Sequence, residues 1–216
     1  MDITYIAIVI IVILLSMTLH EAMHAFMGYW LGDDTAKRQG RLTLNPIKHI
    51  DPFLTLLLPV MLALIGAPIF GGAKPVPFNP DRVRYDEWGA ALVAIAGPLT
   101  NLVIAFVVYG VTVLTGQQID LMSVPQDIGG LIIHTAIFVN LGFFVFNILP
   151  IPPLDGSRVL YALAPEFIRR IMEVIERFGI IFIFALVLLA SRAIGAVMVA
   201  MIQGCLDVFR TIYGLF

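Results

Sequence analysis

Three long apolar stretches constrain the fold of this chain more than any other feature of its sequence. They cover residues 3–31, 89–114 and 129–149. Each is long enough to cross a bilayer as a helix, which takes about 20 apolar residues. With 60% hydrophobic and 13% charged residues, the chain is far more apolar than a soluble domain, in which about 25% of residues are charged. The sequence therefore predicts an all-α polytopic membrane protein.

The C-terminal region is apolar on both sides of Arg192, in residues 178–190 and 193–209. It could form one long span that buries Arg192, or a span followed by an interfacial helix. The second arrangement is preferred, because a charged residue at the bilayer centre costs about 2.5–3.5 kcal/mol. We expect four to five membrane helices in one membrane-embedded domain over residues 1–216. The first of them is expected to be retained, since no signal-peptide pattern precedes it.

Residues 52–70 are also apolar, but proline and glycine residues interrupt them. Basic residues lie on both sides of this segment, whereas the loop 115–128 contains none. Because cytoplasmic loops are enriched in Lys and Arg, both flanks are expected on the cytoplasmic side. The chain between these flanks must then cross the membrane an even number of times or not at all. Residues 52–70 should therefore re-enter the membrane or lie at its interface. The same rule places residues 115–128 outside. It places three segments in the cytoplasm, at residues 32–51, 71–88 and 153–177.

Net charge and cysteine content exclude several other classes of protein. The formal net charge is -2 and no basic tail is present, so the sequence gives no indication of nucleic-acid binding. The single Cys205 can form neither an internal disulfide nor a cysteine-rich metal site. The chain is expected to lie in a lipid bilayer. The sequence does not indicate its oligomeric state.

The first apolar stretch contains the sequence His20-Glu21-Ala22-Met23-His24, an H-E-x-x-H motif. Residues four apart lie on the same face of a helix, so both imidazoles can reach one zinc ion, with Glu21 beside the first ligand. Ionisable residues inside a membrane span are costly and indicate a functional site. The alternative is that these polar residues merely mark a helix end at the membrane interface.

A catalytic zinc ion usually has three protein ligands, and the sequence offers few candidates for the third. His49 and His134 are the remaining histidines. Asp155 is a carboxylate that directly follows a span in a proline-rich, otherwise apolar stretch. Because the first and third spans run in the same direction, Asp155 is expected near the same membrane face as His20 and His24.

Three motifs together resemble the site-2 protease family of intramembrane zinc metalloproteases. These are H-E-A-M-H in the first span, A-G-P-L-T-N at residues 96–101, and N-I-L-P-I-P-P-L-D-G at residues 147–156. The resemblance is to the small type without a PDZ or CBS domain. It implies that His20, His24 and Asp155 bind one zinc ion and that Glu21 is the catalytic base.

The resemblance carries further expectations about substrate and location. Asn101 and Asn147 match positions where the family places polar groups near the substrate or the transition state. Either could instead be a hydrogen-bonding contact between spans, which is common in membrane proteins. The family's substrates are single-span membrane proteins. The chain is expected to be a multi-pass protein of the plasma membrane, with its active site towards the cytoplasm.

Residues 71–80 are expected to be extended rather than helical, because Pro75, Pro77 and Pro80 each lack an N–H donor. A protease must bind its scissile segment in an extended form. An extended segment beside the ion, with Val76 as the donor between two prolines, could pair with substrate by strand addition. The family places a membrane-associated β-element at this position. The alternative is a plain cytoplasmic turn.

A second functional class is a zinc-binding membrane protein that is not an enzyme, such as a metal transporter or a scaffold that holds substrates without cutting them. Intramembrane histidines and carboxylates also mark ion pathways. Glu21 distinguishes the two classes, because a transporter has no need of a carboxylate beside its first ligand. A degenerate scaffold is expected to have lost a ligand or the base, and the sequence retains them all. The sequence therefore favours a protease.

Overall fold

The computed structural model describes residues 3–57, 60–61, 72–116, 125 and 127–214. Within these ranges all regular secondary structure is helical, which confirms the predicted all-α class. Six α-helices are labelled here in chain order: α1 (Ile3–Trp30), α2 (Thr35–Arg38), α3 (Asp86–Leu114), α4 (Ile128–Asn147), α5 (Gly156–Leu163) and α6 (Glu166–Ile212). Short 3₁₀ turns lie at Pro46–Lys48 and Pro80–Arg82, and a π-helical turn at Pro52–Leu57.

Four segments of the described helices are long and apolar enough to cross a membrane. They are Ile3–Trp30, Asp86–Leu114, Ile128–Asn147 and Arg192–Ile212. The first three coincide with the predicted spans. Their outward faces carry exposed aliphatic side chains, among them Ile11, Leu15, Val103 and Val107. Such faces are stable in hydrocarbon, so the chain is a multi-pass membrane protein.

Helices α1, α3 and α4 pack on one another and form the part of the bundle that holds the site. Val9, Ile13 and Met17 of α1 pack in one apolar cluster together with Ala73. A second cluster joins α3, α4 and α6 through Ala105, Tyr109, Ile137, Leu141, Leu206 and Phe209. Val139 and Phe143 of α4 pack against the first cluster, so the two clusters together link α1 to α4 and α4 to α3.

The C-terminal region differs from the preferred prediction of a span followed by a separate interfacial helix. Residues 166–212 form the single helix α6, and the second apolar run begins a candidate span at Arg192. Ser191-Arg192 contains neither proline nor glycine, so nothing in it stops a helix. Arg192 itself is exposed, and the helix continues through it. A polar pair was therefore a poor indicator of a helix boundary.

Residues 72–79 contain no helix, as predicted for that part of the segment 71–80. They pair with no strand in the described part of the chain, and their hydrogen bonds go instead to side chains and turns. The predicted re-entrant segment is described only at Pro52–Leu57 and residues 60–61, so the remainder of that prediction lies outside the described residues. Most of the predicted external loop 115–128 also lies outside them. The sidedness of the loops remains a prediction.

Candidate metal centre

Three potential metal ligands meet where α1 faces the turn before α5. His20 and His24 lie one turn apart on α1, and their Nε2 atoms are 3.0 Å apart. The Oδ2 atom of Asp155 is 3.2 Å from Nε2 of His20 and 3.5 Å from Nε2 of His24. In the described part of the chain this is the one group of three or more His, Cys, Asp or Glu residues arranged to hold a metal ion.

These separations fit a zinc ion. Four-coordinate zinc has bonds of about 2.0–2.1 Å, so neighbouring ligand atoms in a tetrahedron lie about 3.3 Å apart. The three separations given above bracket that value. Two imidazoles and one carboxylate are a donor set typical of catalytic zinc, which keeps its fourth position for water or substrate. The residues present therefore fit the predicted cofactor, Zn²⁺.

Asp155 reaches this position through the proline-rich turn that follows α4. Helix α4 ends at Asn147, and residues 148–155 fold back without forming a helix. Gly156 is required for this turn, because a Cβ atom there would lie 2.1 Å from the carbonyl oxygen of Ile148. Asp155 occupies the N-cap position of α5, where an aspartate usually accepts a hydrogen bond from its own helix. Its side chain makes no such bond and faces the two imidazoles instead.

The charge state of Asp155 suits a metal ligand. Burial tends to raise the pKa of this carboxyl group, but the neighbouring imidazoles of His24 and His20 outweigh that effect. The net result is a pKa below the usual range of an aspartate. Asp155 therefore offers a carboxylate to the site.

Both histidines are oriented by α3 through their second ring nitrogen. Nδ1 of His20 lies 2.6 Å from Oδ1 of Asn101, and Nδ1 of His24 lies 2.8 Å from the carbonyl oxygen of Val93. Because these oxygens can only accept, both Nδ1 atoms carry the proton and donate it. When the rings are neutral, as a metal-binding imidazole must be, both Nε2 atoms present lone pairs towards the centre, the arrangement that metal-binding histidines usually adopt.

Asn101 is itself held by a chain of buried polar groups that crosses the bundle. Its Nδ2 donates to Oδ1 of Asn140 on α4 at 2.8 Å, and Nδ2 of Asn140 donates to Oγ of Ser16 on α1 at 2.9 Å. Asn101 is 0% exposed and Asn140 is 1% exposed. These contacts join all three packed helices behind His20. Asn101 thus makes a contact between spans, and its role near substrate or transition state stays a prediction.

Three residues of this region were not singled out from the sequence. Asn140 and Ser16 are the first two, and the signal for them is a polar residue inside an apolar span. The third is Gly97, where a Cβ atom would lie 2.5 Å from Nε2 of His24 and 2.7 Å from Nε2 of His20. Only glycine lets α3 approach both imidazoles this closely. Gly97 lies within the A-G-P-L-T-N motif, but the contact could not be inferred from the motif itself.

Glu21 lies beside the ligands on α1 and is buried. Its Oε2 atom accepts a hydrogen bond of 2.7 Å from the backbone N–H of Val76. Residues 72–79 therefore pass directly over the predicted catalytic base. Val76, which was selected from the sequence as a donor to substrate, has its N–H engaged with Glu21 in this structure.

The structure shows contacts of the other sequence candidates with groups other than the three ligands. Asn147 lies at the C-terminal end of α4, and its Nδ2 donates to the carbonyl oxygen of Phe143. Nε2 of His49 donates to the carbonyl oxygen of Thr43 at 2.8 Å. The ring of His134 lies beside that of Phe138. Neither His49 nor His134 belongs to the group that could hold a metal ion.

Comparisons with known proteins agree with this geometry. The sequence profile of peptidase family M50 matches residues 131–190, which include Asn147 and Asp155. The chain is 40% identical to a Bacillus subtilis (strain 168) protein named "Putative zinc metalloprotease YwhC", over 80% of this chain and 76% of that protein. It is also 33% identical to Rip2 of Mycolicibacterium smegmatis, which bears the same description, over 88% of this chain and 71% of Rip2. No solved structure matches the chain.

The same assignment follows from the identity over most of each relative's length, from the profile match around Asp155 and from the grouping of the three ligands. The chain belongs to peptidase family M50, the site-2 protease family, and is a zinc metalloprotease of that family.

Proposed function

We propose that this protein hydrolyses peptide bonds of single-span membrane proteins, within or beside the bilayer and towards its cytoplasmic face. One observation carries the proposal. In the group that could hold a metal ion, His20 and His24 lie on α1 together with Glu21, and α1 is a helix apolar enough to span a membrane. A proteolytic site on such a helix acts on substrates that reach it through the bilayer or from its edge.

The chain's own residues supply the binding and the proton transfers of this reaction. His20, His24 and Asp155 would hold the zinc ion. When bound, zinc supplies Lewis-acid chemistry, which polarises the scissile carbonyl and makes water a good nucleophile near neutral pH. Glu21 takes one proton from the attacking water as the C–O bond forms. It then delivers that proton to the amide nitrogen as the C–N bond breaks, which releases an amine and a carboxylic acid.

The scissile segment must be unwound, because a helical carbonyl is already hydrogen-bonded. Residues 72–79 are positioned to line this segment, but the structure limits how they could pair with it. The backbone N–H groups of Gly72, Lys74 and Val76 are all engaged within the protein. The carbonyl oxygens of residues 73, 75 and 77 accept no hydrogen bond from the described residues. Strand addition would therefore use these carbonyls as acceptors, with the substrate as the donor.

The test of this proposal is cleavage by the purified protein in liposomes. A panel of single-span proteins is presented to the wild type and to Glu21→Gln. Glu173→Gln is the control, because Glu173 accepts a hydrogen bond from Tyr161 at an exposed position on α6. Removing a general base lowers rates by roughly 10²–10⁴-fold. Cleavage by wild type and control, and its loss in Glu21→Gln with zinc retained, is expected. Zinc binding without cleavage of any substrate would instead favour a metal-binding protein that is not a protease.

The proposed sidedness is tested separately by cysteine labelling in cells, after replacement of the native Cys205. A membrane-impermeant reagent applied from outside should modify a cysteine at Gln117 and should not modify one at Asp81 or Lys48. Labelling at Asp81 would place residues 71–88 outside and contradict a cytoplasmic active site.

A further inference from the structure

The segment formed by residues 72–79, called the strap below, touches the predicted base through one backbone group. Val76 N–H donates to Oε2 of Glu21 at 2.7 Å. Pro75 and Pro77 on either side have no N–H, so Val76 carries the sole backbone donor of residues 75–77. Among the described residues the other carboxylate oxygen, Oε1, makes no hydrogen bond, so it is the oxygen left to receive a proton from water.

The first half of the strap is tied down on both its donor and its acceptor groups. Gly72 donates to the carbonyl oxygen of Leu54 at 3.0 Å and accepts from Oγ1 of Thr55 at 2.6 Å. Lys74 donates to the carbonyl oxygen of His49 at 2.9 Å and accepts from Nη2 of Arg41 at 2.5 Å. Arg41 is only 6% exposed although it pairs with no carboxylate among the described residues. Burying a guanidinium group costs free energy, which indicates that fixing the backbone carbonyl of Lys74 has a role in the protein.

The far end of the strap is held by Asp33, which follows the helix that carries Glu21. Asp33 is 2% exposed, and its Oδ2 accepts from the backbone N–H of Asn79 at 2.7 Å. Its Oδ1 accepts from both the backbone N–H and the hydroxyl of Thr35. Burial tends to raise the pKa of Asp33, but the hydrogen bonds from Thr35 and Asn79 outweigh burial and lower it. The carboxylate therefore stays ionised and links the strap to α1.

We propose that Val76 is a positioning residue for Glu21, and that Arg41 and Asp33 act through the strap to place its N–H. A glutamate side chain has three rotatable bonds, so an unheld carboxylate samples many orientations. The Val76 bond selects one of them before substrate binds, with Oε1 directed to the water. Such preorganisation raises the rate of the chemical step without a new contact to substrate. The inference rests on the proposed role of Glu21 as base.

Hydrogen exchange of the Val76 amide tests the contact without any substrate. Because Pro75 and Pro77 have no amide hydrogen, a fragment covering residues 74–77 reports on Val76 alone. The amide should be protected in the wild type and in Glu21→Gln, whose side-chain carbonyl still accepts a hydrogen bond. It should exchange freely in Glu21→Ala. Equal exchange in the wild type and Glu21→Ala would overturn the inference, whether or not the protein cleaves anything.

Kinetics then distinguish a positioning role from a substrate-binding role. Asp33→Asn leaves one N–H of Thr35 or Asn79 facing an amide NH₂. The control Asp34→Asn changes a partly exposed neighbour that pairs with Arg38 and Arg82. Asp33→Asn should lower kcat on the order of tenfold to a hundredfold, the scale of a displacement of about 1 Å, with KM and zinc content unchanged. Asp34→Asn should match the wild type. A raised KM at unchanged kcat, or no effect of Asp33→Asn, would contradict the inference.

Discussion

The two sides of the metal centre are built in different ways. On the side that faces α3, called the inner side, the Nδ1 atoms of His20 and His24 contact Asn101 and Val93, which lie in this packed helix. On the opposite side, called the outer side, Glu21 accepts a hydrogen bond from the strap, and Asp155 lies in the proline-rich turn. Asn101 is fully buried, whereas the side chain of Asp155 is 23% exposed. The groups behind the two histidines are fixed by helix packing, whereas Glu21 is held by a contact from a non-helical segment and Asp155 lies on one.

The largest expected effect is on the inner side, at Gly97. In Gly97→Ala the added methyl group would collide with both imidazoles, on helices that cannot move apart without loss of packing. We expect near-complete loss of zinc and of cleavage. Gly142→Ala is the matched control, since a Cβ atom at that helical position meets nothing within 4 Å. Metal analysis of the two purified variants makes the comparison, and normal zinc content in Gly97→Ala would show that α3 is not packed against the site.

The next largest expected effect is on zinc affinity, and it distinguishes the two asparagines that the sequence analysis named as site candidates. Asn101→Ala should lower zinc affinity by roughly 10–100-fold, the usual cost of losing a partner of a metal-binding histidine. Asn147→Ala should leave zinc affinity unchanged, because Asn147 bonds a carbonyl of its own helix. Any loss of cleavage in Asn147→Ala would then indicate the predicted contact with substrate or transition state. Chelator competition gives both affinities, and equal effects would mean that Asn101 has no special link to the ion.

On the outer side, Val76→Pro should lower kcat while zinc content stays at the wild-type value. The substitution removes the N–H that holds Glu21 but touches none of the three ligands. We expect a decrease of about tenfold or more, by the same positioning argument. Val76→Ala keeps the N–H and is expected to cleave as the wild type does. Equal loss in both variants would assign the effect to the valine side chain.

The smallest expected effect is at Ser16, at the remote end of the inner polar chain. Ser16→Ala removes one acceptor of Asn140, which still donates to the carbonyl oxygen of Ala136 on its own helix. Hydrogen bonds between membrane helices average about 0.6 kcal/mol, which corresponds to about a threefold change in affinity. A threefold or smaller decrease in zinc affinity is therefore expected by chelator competition. A decrease as large as that of Asn101→Ala would show that the chain acts as one unit.

Local patterns predicted the parts of this structure that depend on neighbours in sequence. The spacing of His20 and His24 is a property of one helix, and the apolar runs follow from composition alone. The position of Asp155 after a span made it a candidate ligand beside His49 and His134, and the resemblance selected it. The contacts of Asn140 and Val76 join segments far apart in the chain, and no spacing rule encodes them. The break expected at Arg192 was wrong, because Ser191-Arg192 contains neither proline nor glycine and the helix α6 continues through it.

The central claim is that His20, His24 and Asp155 hold one zinc ion. Metal analysis of the purified wild type, Asp155→Ala and His49→Ala tests it most directly, because His49 is the alternative third ligand that the sequence offered. We expect one zinc ion per chain in the wild type and in His49→Ala, and a clear loss in Asp155→Ala, which removes one of three ligands. Full zinc content in Asp155→Ala, or its loss in His49→Ala alone, would contradict the assignment.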